Sequence, residues 1–230
     1  MKLFLCGGGS GKKTEKSLKV FSSVIDRNKP LLYIPLAMDE SRYPSCLEWI
    51  KSEMQPINVV NIEMVTSKED LYRKNLNDYC AIYIGGGNTF KLLKDIKDGG
   101  SFEKIKKYIE NDGVIFGGSA GAIIFGKDIL SCKTQDPNNV NLEDTKGFNV
   151  LNGLSLLCHL NRNDGVKFNR NKNSDYLLEY SKKNKTIYLP DEDVIFIDDD
   201  KMTIIGEEDF RLYSNGDFKI IKSSSFNEII

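Results

Sequence analysis

The chain is poor in histidine: His159 is the only one in 230 residues. Its five cysteines (Cys6, Cys46, Cys80, Cys132 and Cys158) are odd in number and include no CxxC pair. That pattern argues against a disulfide framework and against a zinc site. Surplus charge is missing too. With 32 basic and 33 acidic residues the formal net charge is -1, without the basic face of a nucleic-acid binder. No apolar run is long enough for a membrane span. The opening "MKLFLC" is interrupted by glycines before it reaches the length of a signal-peptide core, so a reducing cytoplasm is the expected compartment, with no membrane partner.

What is present is an ordinary globular composition, 40% hydrophobic and 28% charged, with no linker, repeat or low-complexity segment. A single domain over residues 1–230 is expected. Apolar runs alternate with amphipathic ones. "KLFLC", "PLLYIPLA", "INVVNIEMV", "YCAIYI" and "VIF" read as strands. "TEKSLKVFSSVI", "YPSCLEWIKSEM", "SKEDLYRKNL" (with Ser67 as cap), "TFKLLKDI" and "FEKIKKYIENDG" read as the helices between them. Such alternation requires crossover connections, hence an α/β fold with a doubly wound, mainly parallel sheet flanked by helices. The last third, with "KTIYLP", "DVIFID", "KMTIIG", "FRLYS" and "FKIIK", reads as short antiparallel strands. "SKKNK" is a solvated helix end, and "FNEII" either seals the core or meets a second subunit.

In an open sheet of this kind, ligands bind beyond the carboxyl ends of the strands. Three glycine-rich turns fall there: "GGGSG" at 7–11, "GGGN" at 85–88 and "GGSAG" at 117–121. The first fails as a phosphate loop, because GxxxxGK[ST] requires glycine at Cys6 and serine or threonine at Lys13. It reads as a strand-to-helix turn whose amides can line a pocket. The third fits GxSxG between a strand and a helix, with Gly117, Ser119 and Gly121. Small neighbours let the chain turn sharply, leaving Ser119 exposed as a candidate nucleophile and the Ala120 amide as a candidate oxyanion donor. A nucleophilic serine needs a base, and His159, 40 positions on (159 minus 119), is the sole candidate. Amides of the "GGGN" turn can supply a second oxyanion donor.

"IGGGNTFKLL", then "GGSAGA" about thirty residues later, then a histidine: this order resembles peptidase family S51, which includes dipeptidase E (aspartyl dipeptidase) and the cyanophycinases. The resemblance implies a serine-type peptidase of short peptides on a fold similar to class I glutamine amidotransferases (flavodoxin-like), working through an acyl-enzyme. It implies Ser119 as nucleophile, His159 as base, and Gly86, Gly87 and Ala120 as the oxyanion hole. For the acid it implies Asp191, in "LPD", with Glu192 beside it and Asp136 in "KTQDP" as alternatives. Asn88 and Thr89 are implied at the substrate, and neither metal nor organic cofactor is needed. Arg162, Lys167 and Arg170 are candidate partners for a substrate carboxylate, or simply solvated cations. Where dipeptidase E has a "PHF" segment this chain reads "CHL", so the resemblance breaks at the segment that helps select an N-terminal aspartate and names no substrate side chain. Two rival readings stay open: an inactive relative that binds a small ligand, and an esterase or amidase with the same residues. A third, nucleotide binding at "GGGSGKK", would show as a thermal shift with nucleotide.

Overall fold

The computed structural model describes residues 1–165 and 167–228. Its first half is β1 (Lys2–Cys6), α1 (Glu15–Val24), β2 (Leu31–Ile34), α2 (Tyr43–Met54), β3 (Ile62–Met64) and α3 (Lys68–Arg73). There follow β4 (Ala81–Ile84), α4 (Thr89–Asp98), α5 (Phe102–Glu110), β5 (Val114–Gly118) and the short α6 (Ala120–Ile123). The second half is β6 (Ser155–Leu157), α7 (Arg170–Tyr180), β7 (Thr186–Tyr188), β8 (Val194–Asp198), β9 (Lys201–Ile205), β10 (Phe210–Ser214) and β11 (Asp217–Ile221).

The main sheet has the order β3-β2-β4-β5-β1-β8-β9. Its first five strands are parallel, as the helical crossovers require, and β8 and β9 extend it antiparallel. The doubly wound α/β expectation holds. The antiparallel extension, however, is divided between two sheets. β10 and β11 leave the main sheet and join β7 and β6 in a second one, ordered β11-β10-β7-β6, whose β6–β7 pair is parallel. Two short buried strands cannot stand alone, and β10 covers the open edge of β7.

One face of the main sheet is built from a row of register partners. Phe196, Phe4, Phe116, Tyr83 and Tyr33 lie opposite one another across β8, β1, β5, β4 and β2. Their rings follow at centroid spacings of 4.5, 5.7, 5.0 and 5.9 Å, and the row ends at Trp49 of α2, 5.8 Å from Tyr83. Aromatic pairs on a sheet face stabilise it beyond simple burial. Phe21 of α1 and Ile50 and Met54 of α2 cover this face. The opposite face buries Ile82, Ile84 and Ile115 against Leu92, Leu93 and Ile96 of α4 and Ile105 and Ile109 of α5.

Several element boundaries differ from expectation, among them α3, which ends at Arg73 and leaves Leu76 to a separate 3-10 turn. β2 stops at Ile34 because Pro35 has no N–H for the ladder. "INVVNIEMV" yields only Ile62–Met64, since Pro56 opens a 3-10 turn that closes on Asn58 at φ 57°, leaving Val60 exposed. The helix after Ser119 is a single turn. Ser67 caps α3 as expected, its hydroxyl accepting from the Asp70 amide at 3.1 Å. Of "FNEII", Phe226 is buried edge-on to Phe210, and Ile229 and Ile230 lie outside the described residues.

Candidate active site

β5 runs straight into the elbow. Ser119 sits at φ 52°, ψ -112°, a conformation that side chains avoid at a cost of about 1–3 kcal/mol. The turn survives because its neighbours lack side chains: a Cβ at Gly117 would lie 2.3 Å from the Gly121 carbonyl oxygen, and one at Gly121 would lie 2.1 Å from that of Ile84. Backbone bonds lock it. The Ser119 amide donates to the Cys6 carbonyl at 3.0 Å, and the Ala122 and Ile123 amides donate back to Ser119 at 2.8 and 2.9 Å.

His159 and Asp191 arrive from the second sheet. Because β6 and β7 are parallel, with Leu157 opposite Tyr188, the residues that follow them emerge at the same end. His159 takes a left-handed backbone at φ 71°, and its amide donates to the Gly7 carbonyl at 3.2 Å. The three side chains form one chain of hydrogen bonds. Ser119 Oγ lies 2.7 Å from His159 Nε2, and His159 Nδ1 lies 2.6 Å from Asp191 Oδ1.

The electrostatics fit a base poised to accept a proton. Burial lowers the pKa of His159 from its ordinary value, against an opposing pull from Asp191, so the imidazole is neutral at neutral pH. Burial acts against the Asp191 charge, yet hydrogen bonds from His159 and Arg162 outweigh it and hold the carboxyl below the usual range. An ionised Asp191 can only accept, so Nδ1 carries the proton and Nε2 is left to accept from the serine hydroxyl.

The "GGGSG" turn is part of this machinery, a role the motif analysis missed. The Gly9 amide donates to the Asp191 carbonyl at 2.7 Å, and the Gly7 amide to that of Asp193 at 3.0 Å. A Cβ on Gly8 would lie 2.1 Å from His159 Cε1. The signal was visible in the glycine run at a strand end, but its partner was not. The phosphate-loop reading has a further obstacle: the Glu53 carboxylate already accepts from the Gly11 amide, with both oxygens at 3.0 Å.

The other expected residues separate into two groups. Gly86 abuts the serine, its Cβ position 3.2 Å from Ser119 Cβ, and Gly87 at φ 145° packs on Ala37. Among the described residues the Gly86 and Gly87 amides donate to no other backbone carbonyl, and the Ala120 amide, first in its helical turn, has no partner within the helix. With only one turn behind it, that amide brings little helix dipole. Elsewhere the expectations need correction. Asp136 does not reach the histidine: buried, it accepts from the Thr89 amide (3.0 Å) and hydroxyl (2.6 Å) and pairs with Lys167 at 2.9 Å. Glu192 pairs with Lys13 at 2.6 Å and with Asn161. Asn88 is consumed as the cap of α4, accepting from the Lys91 amide at 2.9 Å, and Thr89 is fully buried. Arg162 lines the cavity at Ser119 but is already paired, its Nε donating to Asp191 Oδ2 at 2.6 Å and its Nη2 to the Gly8 carbonyl at 3.2 Å. Arg170 opens α7 and faces a different cavity, beside Glu207, Glu208 and Arg211.

A cavity of about 450 Å³ opens onto Ser119, Gly86, Gly87 and His159. Tyr33, Met38, Cys46 and Trp49 form one wall, and Phe168, edge-on to the His159 ring at 4.6 Å, stands on the other. Among the described residues no group of three or more His, Cys, Asp or Glu side chains is set to hold a metal ion, and no helix is long and apolar enough to cross a membrane.

A serine on a strand-to-helix elbow, bonded through histidine to a buried aspartate, is the arrangement that defines the serine hydrolases of α/β fold. The chain belongs to peptidase family S51, whose model matches residues 3–205. It is 29% identical over 141 residues to an uncharacterized peptidase of Listeria monocytogenes, an alignment covering 59% of this chain and 67% of that protein. It is 26% identical over 140 residues to Peptidase E of Salmonella arizonae, covering 60% of this chain and 57% of that one. Among solved structures, a peptidase from an acI-B1 Actinobacterium superimposes with a TM-score of 0.71 at 18% identity, over 96% of this chain and 93% of the other. A Listeria monocytogenes structure gives 0.70 at 23% identity, over 90% and 98%. These two likenesses establish the fold.

Proposed function

We propose that this peptidase hydrolyses short peptides through an acyl-enzyme formed on Ser119, with residues 1–230 acting as one catalytic unit. His159 takes the hydroxyl proton as Ser119 attacks the carbonyl, and Asp191 holds the imidazole tautomer and stabilises the imidazolium. The amides of Ala120 and of Gly86 or Gly87 receive the oxyanion, and water then releases the acyl group. The observation that carries this reading is the unbroken bond series Ser119–His159–Asp191 at 2.7 and 2.6 Å. An inactive binding relative has no need for such a series. The five cysteines are all free and buried, which supports a reducing, cytoplasmic setting. A fluorophosphonate probe tests the nucleophile: wild type should label, and Ser119→Ala and His159→Ala should not. Equal labelling of Ser119→Ala would end the proposal.

A further inference from the structure

α2 turns one side toward the cavity. Arg42, the N-cap residue just before the helix, and Ser45, Cys46 and Trp49 within it all line the cavity, at the i, i+3, i+4, i+7 spacing of a single helical face. The helix core lies on another face, where Ile50 and Met54 are fully buried. The cavity wall is therefore a continuous strip with an indole at one end and a guanidinium at the other. Seven residues of helix separate these ends by ~10 Å, about the span of three extended residues.

The two ends have different chemistry. Trp49 is half-buried, backed by Tyr33 at 6.4 Å and Tyr83 at 5.8 Å, with Met38 beside it in the cavity. That surface accepts flat apolar groups. The cations of the opposite wall are committed, Arg162 to Asp191 and Lys167 to Asp136. Arg42, exposed at the cavity rim, has no acidic partner within ion-pair distance among the described residues. It is the cation available to an incoming anion, and a guanidinium suits a carboxylate.

Resting on the reading of Ser119 as the reactive centre, we propose that this pocket selects short peptides that carry an aromatic side chain, seated against Trp49, and a free terminal carboxylate, held by Arg42. An acidic side chain is not what it recognises. The cavity volume of about 450 Å³ suits a di- or tripeptide.

The chain's single tryptophan makes binding directly visible, since all indole emission comes from Trp49. Ser119→Ala protein is titrated with Phe-Ala and Ala-Phe, with Asp-Ala and Ala-Asp, and with C-terminally amidated forms of each, while wild type is assayed for hydrolysis of the same set. The expected result is a saturable emission change with the phenylalanine peptides at least about tenfold tighter than with the aspartate peptides. Amidation should weaken binding about tenfold, and Arg42→Gln in the Ser119→Ala background should abolish that difference. In hydrolysis, Trp49→Ala should lose about tenfold or more in kcat/KM on phenylalanine peptides, with Trp49→Phe, which keeps an aromatic ring in the fold, largely restoring it. Preferred binding or hydrolysis of aspartate peptides overturns this inference while leaving the peptidase mechanism standing. An emission change without any hydrolysis by wild type overturns the mechanism and supports the pocket. Absence of both overturns both.

Discussion

Replacing Gly8 by alanine should disconnect His159 from Ser119 without touching either. The new Cβ would lie 2.1 Å from His159 Cε1 and 2.6 Å from Nδ1. Carbon contacts settle near 3.5 Å, so the ring must retreat by more than about 1 Å. It has no slack for that, because its backbone is tied to Gly7 and its Nδ1 to Asp191. A misplacement of about 1 Å in a reacting group costs about 10²-fold in rate. The backbone adds its own penalty, since Gly8 sits at φ 120°, and an alanine there strains the fold by about 1–3 kcal/mol. Gly11→Ala separates the two effects. Gly11 also has a positive φ, 59°, but nothing lies within 4 Å of its Cβ position, so it should lose about 1–2 kcal/mol and keep full reactivity. The assay is the rate of fluorophosphonate labelling with thermal melting alongside. Wild-type labelling by Gly8→Ala, or an equal loss in Gly11→Ala, would refute the argument that this turn positions the imidazole.

Asp191→Asn should lower turnover by about 10⁴-fold, because an amide cannot hold Nδ1 as the donor. Asp136→Ala should leave labelling within about tenfold but lower the melting temperature, since Thr89 loses bonds to a buried carboxylate worth about 1.5–3 kcal/mol each. The reverse ranking in labelling would make Asp136 the functional acid. Because the folded pKa of His159 lies below its ordinary 6.5, labelling should rise with pH through that lowered value and be level above about pH 6.5. The same shift means the folded state binds fewer protons, so its contribution to stability is lost as pH falls below 6.5. Arg162 opposes protonation of His159, so Arg162→Met should move the acid limb of the labelling profile to higher pH; an unmoved limb would contradict that reading. Gly7→Ala, whose Cβ would lie 1.8 Å from the Pro190 carbonyl oxygen, should fail to accumulate as folded protein. Gly153→Ala, with nothing within 4 Å of its Cβ position, should still accumulate as folded protein and lose only the about 1–2 kcal/mol that its φ of 83° costs an alanine.

The parallel core was legible because period and punctuation agreed: "YPSCLEWIKSEM" is α2 residue for residue, and Ser67 caps where a serine before an amphipathic run should. The meeting of Ser119 with His159 was legible for a chemical reason, one serine in a glycine elbow and a single histidine in the chain. The split of the C-terminal strands was not, since short alternating runs state that strands exist but not which edge they join. Nor was the fate of the charged loop. Arg162 and Lys167 look alike in sequence, and only the path of the chain decides that Arg162 meets Asp191 while Lys167 meets Asp136. Asn88 and Thr89 stand where capping residues and ligand-binding residues share one chemistry, hydrogen bonding at a helix N-terminus, and sequence does not reveal that Asn88 caps α4 and Thr89 bonds Asp136.

The geometry of this site is set by main chain more than by side chains. Ser119 stands on the main sheet and His159 and Asp191 on the second, so the reactive alignment depends on how firmly two sheets are joined. The joint is the end of β1. Its Cys6 carbonyl receives the Ser119 amide, its Gly7 carbonyl receives that of His159, and Gly7 and Gly9 donate to Asp193 and Asp191. All four bonds fall within residues 6–9; three reach Ser119, His159 and Asp191 directly, and the fourth ends two residues beyond Asp191. Such close approach leaves no room for a Cβ at Gly7, Gly8 or Gly9, where the nearest atoms would lie at 1.8, 2.1 and 2.6 Å. A run of three glycines that resembles a phosphate loop in sequence is thus explained by the bulk it omits: it lets one strand end pass close enough to bond both halves of the site together.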